Sequence, residues 1–245
     1  MNISLDVRNV SLIYPLRTKF SLAPKDHRVG GRDKRINGQG RLRFVKALND
    51  VSFSLSSGDR LGLIGNNGAG KTTLLKVLYG IYPPSHGTIA AQGRIDALFN
   101  INLGFRREAT GRRNIELRGL INGWTQSEVD ARMEEIVAFS ELEDFIDMPI
   151  KAYSQGMAAR LAFSVATSLK PEILLMDEWI GAGDPPFQEK SRQRMRELAN
   201  RAGIVVLASH NHKLLRDTCN KIMMLDKGSV LHFFPDIDAF EKHSC

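Results

Sequence analysis

The residues best suited to chemistry stand together about a quarter of the way along the chain. Gly65-Asn66-Asn67-Gly68-Ala69-Gly70-Lys71-Thr72-Thr73 spells G-x-x-x-x-G-K-[ST]. Glycines at that spacing let the backbone wrap a polyphosphate and turn its N–H groups inward, at a helix N-terminus. Lys71 supplies a mobile positive charge for the β- and γ-phosphates, and the Thr72 hydroxyl is suited to Mg²⁺. The motif directly follows Leu61-Gly62-Leu63-Ile64, a strand-like run. This is the pattern of a nucleoside triphosphate site.

A Mg²⁺ ion at such a site needs a second anchor on a strand edge. Ile173-Leu174-Leu175-Met176-Asp177-Glu178 runs four apolar residues into two carboxylates, 106 residues after Lys71. Asp177 is placed to hold the metal's water shell, and Glu178, beyond the strand end, to orient an attacking water. Alone, such a pair is a solvated strand end. In a chain that also carries a phosphate loop it reads as the rest of a hydrolytic site.

These groups must be held by strands that feed loops. Residues 6–14 alternate as a strand, and Pro15 is expected to stop it. Residues 47–55 and 60–64 read as strands, with Ser56-Ser57-Gly58-Asp59 as the turn between them. Buried-looking strands over 173–177, 204–209 and 222–225 alternate with helical stretches over 188–201 and 213–219. That alternation predicts an α/β fold with a parallel sheet. Thr125-Gln126-Ser127-Glu128 is a capping box ahead of Val129, Met133, Ile136 and Val137, predicting a helix over 126–139 with one apolar face. The polar helical middle, roughly 97–166, reads as a subdomain inserted between 1–96 and 167–245.

The 245 residues are 42% hydrophobic and 25% charged, values of a globular chain that needs no metal or disulfide staple. Apolar runs such as Ile204-Val205-Val206-Leu207-Ala208 are strand-sized, far below the roughly 20 residues of a membrane span. The start, Met1-Asn2-Ile3-Ser4-Leu5-Asp6-Val7, shows no secretory leader, and Cys219 and Cys245 make no disulfide framework, as expected of a reduced cytosolic protein. The net charge is +7. Its excess lies in one basic insert, residues 17–46, where Arg28, Arg32, Lys34, Arg35 and further Lys and Arg face only Asp26 and Asp33. A nucleic-acid reader usually spreads such charge over a face. The insert reads either as a solvated loop or as a patch for anionic headgroups and phosphate-bearing ligands.

Lys151-Ala152-Tyr153-Ser154-Gln155-Gly156-Met157 resembles the signature of the ABC ATPases. Its Ser-x-Gly stands 23 residues before Asp177, and Arg160 follows as in that family. Ser209-His210 is similar to the family's switch histidine, Gly181-Ala182-Gly183-Asp184 to its dimer-contact loop, and Tyr14 to its adenine-stacking aromatic. Without the family, Ser154-Gln155-Gly156 is a polar helix start, His210 a polar histidine and Tyr14 a core tyrosine on a strand. The match is closer to one branch, the ATPases that export O-antigen, capsular polysaccharide or teichoic acid. Gly104-Phe105-Arg106-Arg107-Glu108-Ala109-Thr110-Gly111-Arg112-Arg113-Asn114-Ile115 looks like its G-F-x-x-E-x-T-G-R-x-N-I. Tyr153-Ser154-Gln155-Gly156-Met157 and Gly183-Asp184-Pro185-Pro186-Phe187-Gln188-Glu189-Lys190 look like its Y-S-S-G-M and G-D-x-x-F-Q-x-K.

The resemblance covers nearly the whole chain and implies a P-loop NTPase core of the ABC type. That core has a parallel sheet, an N-terminal antiparallel β part and an inserted helical subdomain, all in one nucleotide-binding domain. It implies ATP and Mg²⁺ as ligands, bound by Tyr14, the 65–73 loop and Asp177, with Thr72 and Asp177 at the metal and Glu178 and His210 catalytic. Each ATP would lie between the Lys71 loop of one copy and Ser154, Gln155, Gly156 and Met157 of a second, with Asp184 in the dimer loop. The implied partners are that second copy, two copies of an integral membrane permease and an undecaprenyl-diphosphate-linked glycan, without nucleic acid. The implied place is peripheral, on the cytoplasmic face of the bacterial inner membrane.

Some residues depart from the family. No glutamine lies between Arg94 and Thr125, where most ABC ATPases carry one that contacts Mg²⁺ and the permease; Glu108 is the nearest polar candidate. Trp179 replaces a smaller aliphatic, and Pro185-Pro186 stiffens the segment after Asp184. With few residues after His232-Phe233-Phe234, the resemblance implies a short form, expected to lack the carbohydrate-binding domain that ends some O-antigen exporters. ABC proteins of translation carry two cassettes, and those of chromosomes insert long coiled coils. One cassette and no heptads between Lys71 and Asp177 favour transport, of a lipid-linked polysaccharide or alternatively of teichoic acid or a drug.

Overall fold

A computed structural model describes residues 3–17, 36–37, 42–99, 104–178 and 184–244. Most of the basic insert, Trp179 and Gly181-Ala182-Gly183 lie outside the described residues. In chain order the elements are β1 (Ser4–Arg17), β2 (Ile36–Asn37), β3 (Leu42–Ser56), β4 (Arg60–Ile64), α1 (Lys71–Leu78), β5 (His86–Gln92), β6 (Ile95–Leu98), α2 (Gly111–Ile121) and α3 (Gln126–Ser140). A 3₁₀ turn (Ile150–Ala152) precedes α4 (Gln155–Ala166), β7 (Ile173–Asp177), α5 (Pro185–Arg201), β8 (Ile204–Ala208), α6 (His212–Thr218), β9 (Lys221–Asp226), β10 (Ser229–Phe234) and α7 (Ile237–Ser244). They form two compact units, Met1–Ile95 with Ile204–Cys245, and Asp96–Gly203.

The first unit holds an antiparallel sheet in the order β2-β3-β1-β5 and a second run of strands in the order β10-β9-β4-β8. β4 lies parallel to β8 and to β9, with Arg60 opposite Val205 and Ile64 opposite Met224. All five residues of β8 are fully buried, which is why 204–208 reads as an unbroken apolar run rather than an alternating one. At the base of β4 the Asp59 carboxylate accepts the Ser56 N–H at 2.8 Å and pairs with the Lys221 ammonium at 2.8 Å. Burial works to raise the Asp59 pKa, but Lys221 and the Ser56 donors outweigh it and hold the carboxyl below its ordinary range.

Pro15 does not stop β1. The strand runs on to Arg17, with Pro15 opposite Phe44 of β3. β5 pairs with β1 only as far as Ser11, so Pro15 lies where one side of the strand has no described neighbour and a missing N–H costs no ladder bond.

In the second unit β7 lies beside β6, and α2, α3 and α4 pack on one another. Thr125 and Glu128 form both halves of the capping box, and Val129, Met133, Ile136 and Val137 are all buried as their spacing predicts. Phe139, Phe163 and Phe187 cluster with ring centroids 5.6–6.2 Å apart. The structure also accounts for Pro185-Pro186. Both stand in the first turn of α5, behind Asp184 as N-cap, where a helix has no use for their missing N–H groups.

Candidate functional site

The phosphate loop is built almost entirely from backbone. Gly65, Gly68 and Gly70 have φ of 143°, 78° and 111°, values that favour glycine. A Cβ on Gly65 would stand 2.2 Å from the Leu225 carbonyl oxygen, so a side chain there would push the loop off β9. The loop is braced in sequence order: Gly228 N–H donates to Ala69 O and Asn49 N–H to Gly228 O, both at 2.8 Å. The other described α-helices open on a side-chain cap, from Thr110, Thr125, Ser154, Asp184, Asn211 and Asp236. α1 opens on Gly70, whose lack of a side chain leaves the positive end of the helix dipole facing the loop.

Lys71, the first residue of α1, is only 8% exposed. Its ammonium donates to Gly65 O at 2.6 Å and to Asn66 O at 3.3 Å, and lies 3.5 Å from His210 Nε2. The sequence places Lys71 and His210 139 residues apart, and β4 and β8, parallel neighbours, deliver both to the same strand ends. Thr72 is exposed at the start of α1. Tyr14 on β1 sets its ring edge-to-face against Tyr82, with centroids 5.4 Å apart and planes at 85°. Burial raises the Tyr14 hydroxyl pKa, Tyr82 adds to this, and the Thr73 side chain partly offsets it. The first unit therefore brings together Tyr14, the 65–73 loop and His210.

The second unit holds the remaining residues that the sequence singles out. Asp177 ends β7, and the exposed Glu178 next to it adopts φ 79°, a left-handed conformation costing about 1–3 kcal/mol in a non-glycine residue. Ser154 is the N-cap of α4, its Oγ accepting the Met157 N–H at 3.1 Å. Ser154 and Gln155 are exposed, and a Cβ added to Gly156 would meet nothing nearer than Ser154 Oγ at 3.8 Å. Asp184 pairs with Arg160, whose other guanidinium nitrogen bonds Glu141 at 2.9 Å. Burial works to raise the Asp184 pKa, while Arg160 and the Phe187 N–H together lower it below the usual carboxylate range.

The G-F-x-x-E-x-T-G-R-x-N-I segment is tied to the chain that leads into Ser154. Gly111 and Arg112 N–H donate to the Met148 and Ile146 carbonyls, and Ile150 and Lys151 N–H donate to the Ala109 and Arg107 carbonyls, at 2.9–3.3 Å. Gly111 has to be glycine, because a Cβ would come within 2.4 Å of Tyr153 Oη and 2.9 Å of Ile146 O. Asn114, fully buried, accepts the Arg106 N–H at 2.7 Å and places its Nδ2 2.8–3.2 Å from the carbonyls of Arg106, Ala109 and Thr110. Glu108, the nearest polar residue where a glutamine is lacking, pairs with Lys151 at 2.6 Å, and that partner lowers its pKa. Beside this segment Gly104, Phe105, Arg106, Leu117, Leu120 and Ile121 line an open groove of about 610 Å³. Sequence reasoning singles out neither Asn114 by itself nor Tyr82. Asn114 at least stands within a recognisable motif, while Tyr82 carries no local signal.

Among the described residues no three His, Cys, Asp or Glu side chains gather as a metal cage. Thr72 in the first unit and Asp177 in the second are each a hard oxygen donor of the kind that Mg²⁺ accepts beside phosphates.

The fold and loop define a class, and residues 48–181 match the family model of the ABC transporter. The chain belongs to that family. It is 42% identical over 239 residues to the O-antigen export system ATP-binding protein RfbE of Yersinia enterocolitica, covering 96% of this chain and 99% of that protein. It is 33% identical over 254 residues to the teichoic acids export ATP-binding protein TagH of Staphylococcus epidermidis, covering 99% of this chain and 90% of that one. A dimeric ATP-binding cassette in a post-hydrolysis state, bound to ADP and Pi, shares the fold with a TM-score of 0.65 at 21% identity, over 94% of this chain and 97% of that chain.

Proposed function

We propose that the protein is the ATP-hydrolysing subunit of an ABC exporter that moves a lipid-linked polysaccharide, of O-antigen or capsule type, across the inner membrane. The observation that carries this reading is the likeness to RfbE, which runs through both units and covers almost the whole of each chain. Residues 1–245 then form one nucleotide-binding domain, with the helical part over 97–166 carrying the signature. Two copies enclose each ATP between the Lys71 loop of one and Ser154 and Gly156 of the other. The permease is a separate integral membrane subunit, and the branch motif is laced by its backbone to the signature approach. Among the described residues no helix is long and apolar enough to cross a membrane, which fits a peripheral subunit on the cytoplasmic face.

The chemistry follows from the side chains. The 65–73 loop and Lys71 hold the polyphosphate, Lys71 exchanging its bonds to Gly65 and Asn66 carbonyls for phosphate oxygens. Thr72 and Asp177 hold Mg²⁺, which when bound draws charge from the phosphates. Glu178 orients the attacking water and accepts its proton, and His210 bonds the γ-phosphate end. Tyr14 stacks on the base and Asp184 stands in the dimer contact.

The test is made in cells lacking the gene. Loss of the subunit should leave lipid-linked glycan trapped on the inner leaflet, and the wild-type gene, but not one encoding Glu178→Gln, should restore it to the surface. Rescue of teichoic acid transfer instead would assign the cargo to the TagH-like alternative, and normal glycan surface display without the gene would end the export reading.

A further inference from the structure

Tyr14 does not stand alone. The turn that follows α1 folds back along β1: Gly80, with φ 85°, ends the helix, and Ser85 then locks onto the strand. Ser85 N–H donates to Ser11 O at 2.8 Å, and Ser85 Oγ accepts the Ile13 N–H at 3.0 Å. Between those anchors lie Tyr82 and two prolines, Pro83 and Pro84, which fix their own φ and leave the backbone little freedom. The ring of Tyr82 is thereby delivered against Tyr14, 5.4 Å away and nearly perpendicular, the geometry in which one ring's positive edge meets the other's negative face. The Tyr14 hydroxyl in turn interacts with the side chain of Thr73, in the first turn of the phosphate-binding helix. Both tyrosines are half-buried, so neither is free to rotate as a surface side chain would.

We propose that Tyr82 is a positioning residue for the nucleotide base: it fixes the plane of Tyr14, through the edge-to-face pair, at a set distance from the phosphate loop. This rests on the reading of Tyr14 as the base-stacking aromatic. A stacked base needs a ring whose orientation is settled before binding, because a tyrosine that swings must be ordered at the cost of affinity. Tyr82 removes that freedom from outside the stack. Its effect is confined to ligands that carry a base, and it is exerted only through Tyr14.

Those two features set the experiment. The purified protein is assayed for ATPase activity and, separately, for inhibition by inorganic tripolyphosphate, which carries the phosphates without the base. Tyr82→Ala should raise the KM for ATP by about five- to ten-fold, the size of a lost aromatic pair. It should leave kcat within about twofold and tripolyphosphate inhibition unchanged. Tyr82→Phe, which keeps the ring, should restore most of the loss. Tyr14→Ala should raise KM at least as much, and the double variant should be no worse than Tyr14→Ala alone. If Tyr14→Ala has no effect on KM, the base-stacking reading fails and this proposal with it. If Tyr14→Ala weakens ATP but Tyr82→Ala does not, the reading stands and the proposal is wrong. Equal losses for ATP and tripolyphosphate would mean a damaged fold around α1, and additive losses in the double variant would mean an independent contact; either overturns the positioning role.

Discussion

The phosphate loop and the signature turn are both helix starts, and they are built in opposite ways. At the first, Gly70 offers no cap, Lys71 is buried among loop carbonyls, and Gly228, in the turn between β9 and β10 and itself held by Asn49 of β3, braces the backbone from outside. At the second, Ser154 caps its own helix and stands exposed with Gln155, and a side chain at Gly156 would meet no closer neighbour than Ser154 itself. One end is unfinished in its donors and finished in its surroundings. The other is finished in its donors and unfinished in its surroundings. In the proposed function a polyphosphate completes the first, and the second is covered by another copy. In the proposed dimer these are the two halves of one site, and the asymmetry predicts that ATP first binds the loop and only then recruits the signature of another copy.

The largest effect that separates them is on chemistry. Glu178→Gln should slow hydrolysis by about 10²–10⁴-fold, since an amide cannot take the water's proton, while ATP affinity stays. ATP should then accumulate a dimer visible by size-exclusion chromatography with light scattering. Near wild-type turnover would remove Glu178 from the mechanism. Next in size, Lys71→Ala should weaken ATP binding to the isolated chain by about 100-fold or more, as expected when the charge-assisted bonds of a buried ammonium are lost. Ser154→Arg, by contrast, should leave monomer affinity within about twofold and suppress dimerisation and turnover, with about 1 kcal/mol of stability lost from the cap. Fluorescent-nucleotide titration of both variants decides the comparison: equal losses of monomer affinity would deny the shared-site geometry.

Smaller effects test the scaffolds. Asn114→Ala should destabilise the second unit by about 2–3 kcal/mol, because it leaves a buried donor and several carbonyls short of a partner. Hydrogen exchange should then quicken first at the Ile150 and Lys151 amides, which bond the loop that Asn114 ties. Asp59→Asn probes the first unit and should cost about 1–2 kcal/mol at neutral pH. Because the folded pKa of Asp59 is depressed, its contribution is present above the unfolded pKa and fades as pH falls through the folded one. Urea titrations of wild type and variant should therefore begin to converge below about pH 3.9, the ordinary aspartate value, and coincide only below the depressed folded pKa.

The sequence discloses these two regions unequally, for physical reasons. The phosphate loop is legible because its chemistry is local: the glycines, lysine and threonine act within nine residues of one another. The apolar strands and the Thr125 capping box are legible for the same reason. Lys71 beside His210 is not, since a parallel sheet joins them across 139 residues. Neither is the lacing of 107–112 to 146–151, which depends on two stretches meeting backbone to backbone with no side-chain pattern to announce it. Pro15 misleads because a strand-breaking residue is read without knowing which strand edge is open. Pro185-Pro186 looks out of place until Asp184 is seen to open a helix there. The basic insert remains a matter of charge alone, its residues lying largely outside the described ones.

The long pairing of β1 with β3 has one more consequence. Arg17 stays opposite Leu42, so the chain over 18–41 starts and ends on paired strands, with Ile36 and Asn37 paired back onto Val45 and Phe44 of β3 on the way. Loop closure there depends only weakly on length, about 0.6 kcal/mol for each doubling. Added length between β1 and β2 is thus expected to cost the paired strands little. An experimenter can use this by placing a fluorophore or an affinity handle between residues 18 and 35, ahead of β2, to report on the subunit while it turns over.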